Sequence, residues 1–342
     1  MVTLSRPGSE QGGADGNVNF LKVFSGEVLA MFQETNRFLP ITMTRTISSG
    51  KSAAFPVIGN ATAFWHTPGE SVITDQAAAG SQGSPDPAAT DYLSGIKATE
   101  KEIFIDDALV SSVLVDDLDR MKSHWDARSE YSSAIGRALS KAADEHILST
   151  IYAAAQASSN ITGVTAAGTN VIKADSDTIA DNLVEAAFSA AEALDGNDVP
   201  SEDRYLAVDP ARFYLLAQKT ELVNRDFGGA NGVYSDGTVL KVAGFTIIET
   251  NNMGSGDLTG TEDTGARNDP HGSGGHGYNA NWTNVVALAF HRSCAGTVKM
   301  ADLQVLSEFQ TERLAWLLLA KYAMGHSYLR PESAAVISTS AV

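Results

Sequence analysis

Residues 126–155 read DARSEYSSAIGRALSKAADEHILSTIYAAA, and this stretch decides the architecture. Ile135, Leu139, Ala143, Ile147 and Ile151 recur at steps of four. Residues four apart stack on one face of a helix, so these five form an apolar stripe that drifts slowly around it. About 30 residues at 1.5 Å rise give a rod of roughly 45 Å, longer than the usual globular helix. A helix of that length is expected to act as a structural spine.

Upstream of it the texture is strand-like. Residues 52–58 and 61–66 are short β-prone runs. Residues 97–105 end in alternation, with Ile103 and Ile105 on one side and Phe104 on the other. Residues 67–91 between them are rich in Gly, Pro, Ser and Ala, which predicts a long hairpin with a broad exposed tip. Earlier still, Phe20, Leu21, Phe24, Val28 and Phe32 share one helical face, in a helix that ends before Pro40. Residues 1–16 are polar and glycine-rich and read as disordered.

Downstream, 158–170 is a small-residue connector. Ile179, Leu183, Ala186, Ala187, Ala190, Ala191 and Leu194 mark a second helix, with Ser176 or Asp175 as its N-cap and Gly196 as its C′ residue. Residues 204–208 read as a buried strand, and Pro210 opens a helix running to about Ala217. Residues 239–249 are strand-like with a turn at Gly244. Residues 251–282 hold eight glycines and predict an irregular loop. Residues 285–291, 297–300 and 303–311 are strand-like; 313–324 is strand with helix as the alternative, and 333–337 a final strand. No internal repeat is visible. The fold class is α+β, without the regular βαβ alternation of a doubly wound sheet.

Composition sets outer bounds. Of 342 residues, 43% are hydrophobic and 19% charged, a globular balance able to bury a sizeable core. The start of the chain has no apolar run of secretory kind, and no apolar run, such as 315–320, is long enough to span a bilayer. The single Cys294 excludes an intrachain disulfide and fits a reducing cytosol. The formal charge is −17. Residues 1–60 and 291–342 each hold five bases and four acids, so 61–290 carries −19. Phosphate binding is dominated by Lys and Arg, so such a chain is a poor nucleic-acid binder. Solubility alone explains the excess; a container that must not stick to its own DNA also explains it.

Constellations that could carry chemistry are few. Asp106, Asp107, Asp116, Asp117, Asp119 and Asp126 could attract a divalent cation. They lack calcium-loop spacing, and caps and a solvated acidic face account for them. His271, His276 and Asp269 lie in the glycine-rich loop, a poor frame for a metal. His291 and Cys294 are three apart but follow an apolar strand with no oxyanion signature, so a packed thiol is expected. No Gly-x-Ser-x-Gly, Walker loop or His-Glu-x-x-His is present. No catalytic residue, cofactor site or metal site is therefore expected. Trp65, Trp125, Trp282 and Trp316 are aromatic anchors for a core or an interface.

Several segments together resemble one family. They are FLKVFSGEVL (20–29), TRTISSGKSAAFPVIG (44–59), RSEY (128–131), HRS (291–293), GTVK (296–299), KYAMGH (321–326) and LRPE (329–332). In this order they resemble the major capsid protein of short-tailed, autographivirus-like podoviruses, from about residue 17 to the end. The resemblance implies an HK97-like coat fold. Its parts would be an N-terminal arm (1–45), an extended β-hairpin loop (46–105), a peripheral domain with the spine helix (106–164 and 291–342) and an axial domain (165–290). The tip, 67–91, looks longer than is usual for the group.

The function implied is a coat subunit that forms hexamers and pentamers of an icosahedral shell around phage double-stranded DNA. The implied partners are further copies of itself, a scaffolding protein in a smaller procapsid that later expands, and a portal protein at one vertex. DNA would be enclosed without sequence-specific binding, and no membrane takes part. Lys51 is a conceivable crosslinking residue, but the group holds its shell noncovalently. The alternatives are an encapsulin-type nanocompartment shell and an acidic secreted or surface hydrolase; the missing motifs count against the second. Interface candidates are Phe20, Leu21, Phe24 and Val28 on the arm, where the stripe has no obvious place in the later core. Phe55, Phe64 and Trp65 are those of the hairpin. A lone two-stranded hairpin is marginal in water, so its aromatic residues need a neighbour's surface. Trp65→Ala is accordingly expected to leave the circular dichroism and thermal unfolding of the subunit near normal while few closed shells form. A mutant subunit that unfolds outright would place Trp65 in the core instead.

Overall fold

A computed structural model describes residues 27, 28, 30–32, 36–59, 98–116, 127–160, 167–219, 232, 233, 238, 239, 241–257, 278 and 280–341. In chain order the strands and helices are β1 (Met43–Thr46), β2 (Ser52–Ile58), β3 (Ala98–Phe104), β4 (Leu109–Asp116), α1 (Ala127–Gln156) and β5 (Thr169–Ile172). There follow α2 (Ala180–Gly196), β6 (Arg204–Val208), α3 (Pro210–Ala217), β7 (Gly232–Val233), β8 (Thr238–Val239), β9 (Lys241–Val242) and β10 (Phe245–Glu249). The last four are β11 (Val285–His291), β12 (Ala295–Gln310), β13 (Ala315–Tyr328) and β14 (Ala334–Ser338).

The stripe read from the sequence is the buried face of α1. Ile135, Leu139, Ala143, Ile147 and Ile151 are all essentially inaccessible, and Leu148, Ala154 and Ala155 widen the apolar surface beyond them. That width lets α1 serve two sheets at once. A four-stranded sheet, in the order β1-β12-β13-β4, contributes Leu318, Ala320, Tyr322 and Met324 to the core around α1. A six-stranded sheet, β5-β14-β11-β6-β10-β9, contributes Ala207, Leu288, Phe290 and Val336 to the same core. Strand alternation sends the intervening side chains of the six-stranded sheet the other way. Leu206, Val208, Ala287, Ala289, Ala335 and Ile337 pack under α2 and α3 in a second core. A sheet covered on both faces needs near-continuous apolar strands, and VVALAF of β11 and AAVI of β14 supply them.

The two small ties on α1 are glycines. A Cβ on Gly136 would come within 2.9 Å of the Val28 carbonyl oxygen, so the missing side chain lets the arm cross the helix closely. A Cβ on Gly168 would collide with the backbone of Ala154 and Ala155, where the chain turns back along the end of α1.

Several elements differ from the sequence reading. Residues 297–300 and 303–311 form one 16-residue strand, β12, with irregular pairing around Ala301. The run after Arg313 is strand and not helix: it lies between β12 and β4, which pair with both of its edges. An apolar run such as LLLA suits either form, and only the two waiting strands select one. β4 was not apparent in the sequence, because LVSSVLVD shows no clean apolar alternation, yet its burial alternates strictly. The proposed caps of α2 are displaced. Ile179 is the N-cap residue and makes no side-chain cap, while Asp175 and Ser176 belong to the preceding turn. Gly196 is still helical, and the left-handed position falls on Asp198. β14, at the end of the chain, pairs with β11 and β5 in the six-stranded sheet.

Ile147 sits at the middle of the shared core. Ile147→Ala is expected to lower the unfolding free energy of the subunit by roughly 2–5 kcal/mol in urea, through lost burial and a cavity between helix and sheet.

Candidate functional site

The sequence candidates are dispersed. Phe20, Leu21, Phe24, Phe64 and Trp65 lie outside the described residues, as do Asp117, Asp119, Asp126, Asp269, His271 and His276. Val28 is fully buried within its own chain, together with Phe32, whose ring meets that of Tyr322 at 5.9 Å. The expectation that the arm stripe has no place in the subunit's own core is therefore corrected for these two residues; Gly136 makes the room for them. Phe55 is half-buried beside a small cluster of Ala53, Ile103, Val298 and Leu329, so the base of the hairpin has a core of its own with β12.

Residues 36–39 reach α1 through Asp144. Its carboxylate accepts hydrogen bonds from the backbone N–H of Phe38 (3.3 Å) and Arg37 (3.4 Å) and from Asn252 Nδ2 (3.1 Å). The Arg37 guanidinium donates to the Glu249 carbonyl at 2.9 Å. One side chain thus joins the arm, the long helix and the turn after β10. Burial pushes its pKa up to about 6, against the opposing effect of these hydrogen bonds. Nothing in the sequence marks it, since an Asp in a helix normally faces water.

The face of the four-stranded sheet turned away from α1 carries a row of apolar side chains across three strands, bordered on the same face by Ser112, Lys321, Gln304 and Glu308. Leu114 of β4 stands opposite Leu317 of β13, and Leu319 opposite Leu306 of β12. Val110, Leu114 and Leu306 are each close to half exposed. Cross-strand neighbours share a face, so these side chains are contiguous. An apolar patch of this kind on a soluble subunit marks a contact surface.

Groups with nucleophilic or metal-ligating chemistry are occupied elsewhere. Cys294 is fully buried, and burial holds its thiol far above the usual range. His291 Nδ1 faces Ser293 Oγ at 2.8 Å and accepts from the Ser293 N–H. Asp106 accepts a hydrogen bond from Tyr278, and Asp116 is the exposed end of β4. Among the described residues no cluster of three His, Cys, Asp or Glu is arranged to hold a metal.

Among the described residues, an exposed apolar row on one sheet and no metal-binding cluster accompany this fold. A family model described as Gp10A-like major capsid protein matches residues 54–338. The chain belongs to this family of major capsid proteins. It is 34% identical over 332 residues to the major capsid protein of Escherichia phage T7, covering 93% of this chain and 91% of the relative. It is 33% identical over 351 residues to that of Enterobacteria phage T3, covering 96% and 94%. Against the capsid structure of cyanophage P-SCSP1u the TM-score is 0.69 at 32% identity, with both chains covered completely. The fold is the HK97-like coat fold of phage capsid proteins. This Gp10A-like chain is a structural protein of a podovirus-type virion and builds its shell.

The junction at Asp144 gives the subunit a pH signature. An Asp whose pKa is raised from its usual value near 4 to about 6 binds a proton more readily folded than unfolded. Its contribution is present in full below about pH 4 and is lost as pH rises through about 6. The unfolding free energy of the parent, relative to Asp144→Asn, is expected to fall by up to roughly 3 kcal/mol between pH 4 and 7. Parallel denaturation profiles for the two proteins across that window would count against this assignment.

Proposed function

We propose that the chain assembles as hexamers and pentamers into a closed icosahedral shell around packaged double-stranded phage DNA. The observation that carries this is the family membership over residues 54–338, joined to an apolar row on one sheet that the described residues leave uncovered. Rings of five and six are built by repeating a heterologous contact, in which one patch meets a different patch on the next copy, under symmetry. In this reading, 1–45 is an arm and 46–105 an extended loop. The four-stranded sheet with α1 is a peripheral domain, and the six-stranded sheet with α2 and α3 an axial domain. Phe20, Leu21, Phe24, Phe55, Phe64 and Trp65 would meet neighbouring subunits, while Val28 anchors the arm within its own chain.

The proposed course is assembly in the host bacterial cytoplasm on a scaffolding protein, with a portal protein at one vertex, followed by expansion as DNA enters. The acid carried by 61–290 favours DNA that is confined and not gripped. The chain performs no catalysis in this scheme. An encapsulin-type nanocompartment is not favoured, because the matching family is one of phage capsid proteins. Co-expression of the chain with the scaffolding protein of the same phage, followed by electron microscopy, is expected to give uniform polyhedral particles. Amorphous aggregate or lone subunits would overturn the shell reading. Particles filled with a protein cargo and competent without any scaffold would favour the nanocompartment.

A further inference from the structure

The hairpin β2–β3 leaves the body of the subunit between two sheets. Its outgoing strand ends at Phe104, and the chain enters β4 of the four-stranded sheet at Leu109. Residues 105–108 in between have no regular structure. The apolar knuckle at the hairpin base, Ala53 and Ile103 on Val298 and Leu329, supplies cohesion. Apolar contact is non-directional and does not by itself set an angle.

Arg45 donates to the Ala54 carbonyl and Lys101 sits over the Tyr328 ring along the strands, and a further set of directional polar contacts is made at the exit. Gly325 of β13 lies directly under this point, where a Cβ would run into the Phe104 carbonyl oxygen. The backbone of 104–106 therefore rests on the strand itself. Ile105 N–H donates to the Lys51 carbonyl at 2.9 Å, and Asp106 N–H to the Met324 carbonyl at 3.4 Å. The Asp106 carboxylate accepts the phenol O–H of Tyr278. The same phenol oxygen accepts the backbone N–H of His326 at 3.1 Å. The Tyr278 ring stacks on His146 of α1, with centroids 4.1 Å apart and planes 13° from parallel. His326 is held in turn by Thr297 Oγ1, 2.9 Å from its Nδ1. Tyr278 is buried, although it belongs to the glycine-rich stretch whose sequence predicts an irregular loop.

We infer that Tyr278 is a latch that fixes the direction of the β2–β3 hairpin from inside the subunit, by tying Asp106 at the hairpin exit to β13 and to α1. Hydrogen bonds are directional. The latch therefore holds one angle and discriminates against others. Without it, the knuckle and the contacts of Arg45 and Lys101 still bind the hairpin, but its exit at 105–108 is no longer tied to β13 and α1 and its angle spreads. The inference concerns the subunit alone and holds whether or not the hairpin reaches a neighbour.

The test is a distance distribution between spin labels. Cys294 is fully buried, so labels can be placed at Glu100→Cys on β3 and Glu192→Cys on α2, both exposed. Labelled full-length chain is diluted into unlabelled chain so that only intrachain distances are read. The parent is expected to give one narrow distribution. Tyr278→Phe keeps the ring stack but loses both hydrogen bonds of the phenol, and should broaden the distribution about twofold or split it. Asp106→Ala should do the same, and the double variant no more than either alone, because both remove one link. Asp106→Asn keeps an acceptor for the phenol and should stay narrow. Circular dichroism separates swinging from unfolding, and Asp106→Ala carries the test if Tyr278→Phe does not fold. Unchanged distributions in Tyr278→Phe and Asp106→Ala, or equal broadening in Asp106→Asn, would overturn the assignment.

Discussion

The burial of one helix against two sheets is the constraint on which the rest of the subunit depends. α1 presents more apolar surface than a single sheet can cover, with Ile135, Leu139, Ile147 and Ile151 joined by Leu148, Ala154 and Ala155. Both sheets therefore enter one core. Helices in folded proteins draw most of their stability from tertiary burial of one face and not from propensity, and the 30 residues of α1 are held in this way. The same burial fixes the relative placement of the sheets, since close-packed interiors transmit displacement instead of absorbing it.

Polar groups sit where this core leaves a choice of direction. Asp144 fixes how the chain before β1 enters the fold, and Asp106 with Tyr278 and His326 fixes how the hairpin leaves it. Both carboxylates meet backbone or side-chain donors at the edge of α1, in surroundings where an unmade hydrogen bond is costly. The acidic balance of the chain is otherwise a surface property. Most carboxylates among the described residues face water, where Lys141–Glu145 and Lys173–Glu185 are pairs of the weak exposed kind.

For a capsid subunit this division is useful. The core makes each copy rigid enough to serve as a repeated part, while what meets a neighbour is left exposed. The apolar patch of Val110, Leu114, Leu306 and their half-buried partners Leu317 and Leu319 has no cover within the described chain. Buried within one subunit it would add to stability; left outside, it adds to association. A shell multiplies each such contact by its copy number, so modest contacts suffice for closure.

The sequence by itself determined the elements whose pattern is local. The four-step stripe of α1, the small-residue face of α2, Pro210 at the start of α3 and the apolar strands β6, β11 and β14 were all legible, because periodicity and steric rules act within a few residues. The ordered set of segments from FLKVFSGEVL to LRPE likewise carries the family resemblance within the sequence itself. What only the tertiary structure decided depends on residues far apart in the chain. The strand form of 315–328 follows from having β12 and β4 on either side, and β4 itself is a strand because β13 pairs with it. Val28 and Phe32 became core residues because Gly136 lets the arm approach α1, and no local pattern reveals that approach. Tyr278 and Asp144 escaped notice for the same reason: their significance lies in partners more than 100 residues away, brought within hydrogen-bonding reach only by the fold.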